Sequence, residues 1–212
     1  MPLVLPHSIF YHIPKTGGTW VRAAIRAAGI PANEVCGSVP QNDRPGYAYF
    51  HATPSDIRPQ GRFSFAFVRH PLAYYQSYWA YKMRRGPEDF NAFDRIFMRE
   101  DFSSFVRAVL GKRRGWVSGV YRRFAGPYGK RVSFIGRQER LADDLIRALT
   151  LAGEEFDEAA IRSTPPQNVS ASDDLFREQC RYSRDLAEEV LEAEHEAVIL
   201  YGYSACGPAF RF

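Results

Sequence analysis

Apolar residues fall along the chain into short blocks and into longer stretches with a period of three to four residues. The short blocks are rich in aromatic and β-branched residues, as buried strands are: SIFYHI (8–13), GYAYFH (46–51), RFSFAFVR (62–69) and RVSFIGR (131–137). The periodic stretches predict helices over 19–28, 71–83, parts of 88–125, 139–151 and roughly 174–196. Because strands alternate with helices, the pattern predicts an α/β fold with a central, mostly parallel sheet flanked by helices.

Composition adds few constraints beyond this. The 212 residues are 45% hydrophobic, which predicts one globular domain over 1–212. Three widely spaced cysteines (Cys36, Cys180 and Cys206) form no metal-ligand pattern and favour a reducing compartment. The N-terminus does not resemble a signal peptide, and no apolar run reaches about 18 residues. We therefore expect a cytoplasmic protein with no membrane span.

Charge is distributed unevenly around a net value of +4. Residues 82–131 hold 13 Lys and Arg against 5 Asp and Glu, whereas residues 139–196 hold 6 against 16. Two alternative explanations fit the basic segment: a solvated arginine-rich surface, or a rim that attracts an anionic substrate or cofactor. No recognised nucleic-acid motif accompanies the charge, so no nucleic-acid partner is predicted.

The sequence HIPKTGGTW (12–20) lies between the first predicted strand and the helix that follows it. A loop that enters a helix exposes unpaired N–H groups at the positive end of the helix dipole. Gly17 and Gly18 let the backbone approach an anion closely, Lys15 adds a charge, and Thr19 is a good N-cap. The pattern therefore predicts a phosphate-binding loop and not a plain strand–turn–helix connection.

This loop differs from the ATP-binding P-loop. That motif places its lysine after the glycines, whereas Lys15 precedes them, and no buried strand ending in Asp is available to hold magnesium. No metal is therefore predicted.

A second candidate anion site lies in FVRHPLAYYQS (67–77). Arg69 ends a predicted strand, and Ser77 follows eight residues later in the next helix. An arginine at the carboxyl edge of a sheet and a hydroxyl that faces it can bind a phosphate. Together with the first loop, they predict one ligand with two separated anionic groups, bound across the carboxyl ends of the strands.

PKTGGTW followed by VRHPLAYYQS resembles the sulfotransferases that use 3′-phosphoadenosine 5′-phosphosulfate (PAPS) and release 3′-phosphoadenosine 5′-phosphate (PAP). The HIPKTGGT form is similar to the carbohydrate, Golgi-type branch, known as sulfotransferase family 2. The resemblance implies a three-layer, P-loop-like fold and a loop that binds the 5′-phosphosulfate, with Arg69 and Ser77 at the 3′-phosphate and Trp20 stacked on adenine. The loop residues implied are Lys15, Thr16, Gly17, Gly18 and Thr19.

Weaker similarity extends over nearly the whole chain. FIGRQERLADDL (134–145) and ILYGY (199–203) look like later segments of the family, and NVS (168–170) resembles a loop near the nucleotide. Arg137, Asn168 and Ser170 are implied as further contacts. The chain is short for the family, which leaves little room for the inserts that shape acceptor pockets.

In sulfuryl transfer the acceptor hydroxyl must lose a proton, so a general base is expected beside Lys15, which stabilises the leaving phosphate. His51 ends the second predicted strand at the same sheet edge, and family members commonly place a catalytic histidine shortly before the arginine strand. His12 is the second candidate, and Glu34 and Asp56 follow it.

Three functions stay open at this point: a PAPS-dependent sulfotransferase, a nucleotide kinase or other phosphotransferase with an atypical loop, and a non-catalytic nucleotide-binding module. The acceptor is a small molecule or a glycan. Aromatic residues near the basic segment would suit sugar rings or belong to the core: Tyr74, Tyr78, Trp79, Tyr81, Trp116 and Tyr121. Oligomeric state is not predicted.

Overall fold

The computed structural model describes residues 1–35, 51–88, 91–167 and 178–203. Their contacts group into two compact units, and the chain passes between the units more than once. The first unit comprises Met1–Arg69 and Tyr121–Val169, and the second comprises His70–Val120 and Ser170–Phe212. The expectation of one sulfotransferase domain over the whole chain stays a prediction.

The first unit is built on a five-stranded sheet. Its strands are β1 (Leu3–Val4), β2 (Ser8–Tyr11), β3 (Asn33–Glu34), β4 (Phe63–Val68) and β5 (Phe134–Arg137), in the spatial order β3-β1-β2-β4-β5. β2, β4 and β5 are parallel neighbours, whereas β1 is antiparallel to both β2 and β3. The sheet is therefore mixed, and the prediction of a mostly parallel sheet was wrong.

The difference comes from two strands too short to leave a signal in the sequence. β1 and β3 have two residues each, so neither shows the alternation or the apolar run by which strands are recognised. Where the predicted strands are described, they form the parallel part of the sheet. Residues 46–50 of the predicted strand 46–51 lie outside the described residues, and His51 itself is in a bend.

Three helices of the first unit are α1 (Gly18–Ala27), α6 (Leu141–Ala152) and α7 (Glu158–Ser163). The amphipathic faces of α1 and α6 pack on the sheet. Their core joins apolar residues of β2, α1, β4 and α6, among them Phe10, Val21, Phe65, Phe67 and Leu145. This packing holds the connection between β2 and α1 against the start of α6.

The second unit is helical. It contains α2 (Pro71–Arg85), α3 (Ala92–Phe97), α4 (Phe102–Lys112), α8 (Arg184–Ala193) and α9 (His195–Leu200). Helix α5 (Trp116–Ala125) belongs to this unit up to residue 120 and to the first unit from residue 121. Pro71 occupies the first turn of α2 as predicted, and the His70 ring caps that helix by accepting from the N–H of Leu72 at 3.3 Å.

Two buried carboxylates organise the second unit. Glu194 accepts from the Tyr75 hydroxyl and from the N–H groups of Val117 and Ser118, which lie at the start of α5. Asp94 accepts from Tyr78 at 2.6 Å and pairs with the Lys82 ammonium at 2.7 Å. Lys82 is therefore the cation of a buried ion pair and not part of the basic surface.

Within the described ranges, none of the helices combines the length and the apolar character that a membrane crossing requires.

Candidate functional site

The connection between β2 and α1 reverses direction sharply through two residues with positive φ. Lys15 has φ 63° and Gly17 has φ 89°, and the left-handed region is costly for a residue with a side chain such as lysine. The Thr16 hydroxyl is fully buried and donates to the carbonyl of Ile13 at 2.8 Å, which closes the turn. The chain enters α1 at Gly18, directly after this turn.

Gly17, and not Thr19, occupies the N-cap position of α1. No side chain caps the helix, and its first helical bond runs from the N–H of Val21 to the carbonyl of Gly17 at 3.1 Å. The prediction that Thr19 caps the helix was wrong, because the tight turn starts the helix before that residue. Thr19 is instead exposed in the first turn. The first N–H groups of α1 have no partner within the helix, as at any helix start.

Side chains pack against both glycines of the loop. A Cβ on Gly18 would lie 2.0 Å from Cδ2 of His12, and one on Gly17 would lie 2.6 Å from Cδ1 of Leu141. Neither position can hold a larger residue unless these neighbours move. Close approach of the glycines to an anion stays a prediction. The structure adds a second reason for the glycines, because the loop is packed between the His12 imidazole and Leu141, the first residue of α6.

A cationic residue lies at or shortly after the end of each of the three parallel strands of the sheet. Lys15 follows β2, Arg69 follows β4, and Arg137 is the last residue of β5, paired in register with Val68. The Arg69 guanidinium donates to the carbonyl of Lys15 at 3.3 Å, so the two sequence motifs meet at one sheet edge. Such an edge, next to a helix start, suits an anionic ligand.

Contacts to the backbone hold two of these cationic residues. The N–H of Arg137 donates to the buried Asp144 carboxylate at 2.7 Å. The Tyr121 hydroxyl donates to the carbonyl of Arg69 at 2.6 Å and accepts from the N–H of Arg69 at 3.0 Å. Sequence reasoning missed both partners. The sequence gives no signal for these two contacts. Tyr121 is 52 residues from Arg69, and Asp144 is one of several acidic residues on or near α6.

His51 lies beside the loop and is oriented by His12. Its Nδ1 is 3.2 Å from the carbonyl oxygen of His12, and the two rings meet edge to face with centroids 4.9 Å apart. A carbonyl oxygen only accepts, so this bond requires a proton on Nδ1 and leaves the Nε2 lone pair to accept another.

Both imidazoles are neutral near pH 7. Burial lowers the pKa of His51 to about 4, and the hydrogen bond to His12 only partly opposes this effect. Burial also lowers the pKa of His12 well below its usual value, with a further contribution from the charge of His51 when it is protonated. The Nδ1 of His12 is buried without a hydrogen-bond partner. The neutral His51 ring, with its proton on Nδ1, has Nε2 as its accepting nitrogen.

The remaining predicted ligand and base residues have different surroundings. Trp20 is only 9% exposed, belongs to the apolar core and donates from Nε1 to the carbonyl of Thr164 at 3.2 Å. This burial favours packing over the stacking on adenine that the resemblance implies. Glu34 forms an exposed pair with Arg22, and Asp56 accepts from the N–H and hydroxyl of Thr53, both at 2.8 Å.

Ser77 lies on α2 in the second unit and is partly buried. Four of the six aromatic residues considered for sugar binding are in the interior of the protein: Tyr74, Tyr78, Trp79 and Tyr121. The core interpretation is therefore correct for these four. Asn168 and Ser170 lie outside the described residues.

Over the described ranges, no three His, Cys, Asp or Glu side chains are grouped so as to hold a metal ion. No protein family, no curated protein and no solved structure matches the chain.

Proposed function

We propose that the protein is a PAPS-dependent sulfotransferase that acts on a hydroxyl acceptor through a three-layer, P-loop-like fold. The observation that carries the proposal is the contact between the Arg69 guanidinium and the carbonyl of Lys15. It joins the two motifs that resemble the family at the edge where Arg137 also ends a strand. This donor set is cationic and rich in N–H groups, which suits a nucleotide with phosphates at both its 5′ and 3′ positions.

The proposed reaction is an in-line displacement at sulfur. The acceptor oxygen forms the new S–O bond while the bond between sulfur and the 5′-phosphate oxygen breaks, and PAP leaves. The Lys15 ammonium and the first N–H groups of α1 stabilise the charge that develops on the leaving phosphate. The left-handed conformation of Lys15 supports this role, since strained backbone occurs often at functional sites.

His51 takes the proton of the acceptor hydroxyl in this proposal. Two features support it: the bond to the carbonyl of His12 leaves Nε2 as the accepting nitrogen, and burial keeps the ring neutral above about pH 4. A pKa of about 4 makes His51 a weak base at neutral pH. We therefore expect its contribution to depend on position more than on basicity.

Binding experiments separate this function from a kinase and test the role of Arg69. We expect calorimetric titration without magnesium to show tight binding of PAP and weaker binding of adenosine 5′-phosphate (AMP) and of ATP. PAP and AMP differ only in the 3′-phosphate, and hydrogen bonds to a charged group contribute about 1.5–3 kcal/mol, or roughly 10- to 100-fold in Kd.

An Arg69→Ala variant should lose most of the preference for PAP over AMP. Arg107→Ala is the matched control, because it removes the same charge from an exposed ion pair with Glu189 in the second unit. Equal affinity of the wild-type protein for PAP, AMP and ATP would contradict the proposed function. ATP binding and turnover that require magnesium would favour the kinase.

A further inference from the structure

The Tyr121 hydroxyl contacts the backbone of Arg69 on both sides of its Cα. It donates to the carbonyl oxygen at 2.6 Å and accepts from the N–H at 3.0 Å. β4 ends at Val68, so the regular strand pairing of the sheet stops just before Arg69. A side-chain hydroxyl thus bonds both backbone groups of a residue that lies just outside the regular strand pairing.

Tyr121 itself is held firmly. Its side chain is fully buried on α5. A fully buried aromatic ring packed at interior density has little freedom to move. The hydroxyl therefore helps to fix the Arg69 backbone. The side chain whose guanidinium contacts the carbonyl of Lys15 starts from this backbone.

We propose that Tyr121 is a positioning residue that makes the site selective for a nucleotide with a 3′-phosphate. This inference rests on the proposed function. Without the hydroxyl, the N–H and carbonyl of Arg69 lose this shared partner, and the position of the residue is less tightly fixed. A cation held in one position contributes more to phosphate binding than one that must be ordered by the ligand.

The hydroxyl of Tyr121, and not its ring, bonds the backbone of Arg69, so Tyr121→Phe is the appropriate variant. Phenylalanine keeps the packed ring and removes only the atom that contacts Arg69. Tyr11→Phe is the matched control: Tyr11 is also fully buried in the first unit, and its hydroxyl also donates to a backbone carbonyl, that of Ile57.

The measurement is the ratio of the Kd for AMP to the Kd for PAP, determined by calorimetry without magnesium. One net hydrogen bond corresponds to roughly a three- to tenfold change in an equilibrium constant. We expect Tyr121→Phe to lower the ratio by that factor through weaker PAP binding, with AMP binding nearly unchanged. Tyr11→Phe should leave the ratio as in the wild type. In an Arg69→Ala background, Tyr121→Phe should have no further effect on the ratio.

A purely structural role for Tyr121 predicts something else: both ligands weaken together, and the ratio stays constant. That result, or a full wild-type ratio in Tyr121→Phe, would overturn the inference while the proposed function stands. A further drop in the Arg69→Ala background would overturn it as well, because Tyr121 would then act independently of Arg69. Equal affinity of the wild type for AMP and PAP contradicts the proposed function itself, and the inference with it.

Discussion

Gly18→Ala tests the central geometric feature of the site, the contact between the loop and the ring of His12. The new methyl group would lie 2.0 Å from Cδ2 and 2.2 Å from Nε2 of that ring. Carbon atoms pack at about 3.5–4.0 Å, so the ring or the helix start must move by roughly 1.5 Å. The ring lies against Phe10 and His51, with ring centroids 6.1 and 4.9 Å away, which leaves it little space for that movement.

The expected size of the effect follows from two opposing contributions. Overpacking a well-filled interior costs about 1–3 kcal/mol. Alanine is a better helix former than glycine by up to about 1 kcal/mol. Gly18 is the first residue of α1 and does not have a positive φ, so its backbone conformation allows alanine. We therefore expect Gly18→Ala to lower the free energy of unfolding by about 1–2 kcal/mol. The displaced ring should also weaken the orientation of His51.

Urea titration of the wild type and four variants provides the test. Gly119→Ala is the matched control, since Gly119 lies within α5 and an added Cβ there would meet nothing within 4 Å. It should stabilise the protein by up to about 1 kcal/mol. The other variants are His12→Ala alone and combined with Gly18→Ala. With the ring removed, Gly18→Ala should cost at least about 1 kcal/mol less than in the wild type. A Gly18→Ala protein as stable as Gly119→Ala would refute the packing argument.

Two further predictions concern ionisable groups. Burial keeps His51 neutral in the folded state with a pKa of about 4, whereas the unfolded chain titrates near 6.5. The unfolded state therefore binds the proton first, so stability should fall as pH decreases from 6.5 towards 4, and a His51→Asn variant should show a shallower fall in urea titrations. Lys82→Met leaves the buried Asp94 carboxylate without its cation and should cost about 3–5 kcal/mol, whereas Arg184→Met, which removes an exposed ion pair, should cost less than about 1 kcal/mol. Similar losses in the two variants would contradict the burial of the Lys82 pair.

The local pattern of the sequence predicted the parts of the protein that depend on neighbouring residues. The α/β class, the strand at Phe63–Val68, the helix that begins at Pro71 and the loop between β2 and α1 all follow from apolar periodicity and turn chemistry. Each of these features depends on residues that are close together in the sequence, so a single sequence is enough to recognise it. The loop also led to the proposed function through its lysine, glycines and threonines.

Only the tertiary structure decided which residues meet at the sheet edge. Two features depend on how segments far apart in the sequence pack: the pairing of β1 with β3 and the hydrogen bonds of the Tyr121 hydroxyl to Arg69. Trp20 and Thr19 show the same limit, because burial and the exact start of a helix are set by packing and turn geometry and not by residue type. Residue types along the chain thus predicted the chemistry of the loop, whereas long-range contacts determined how its groups are oriented.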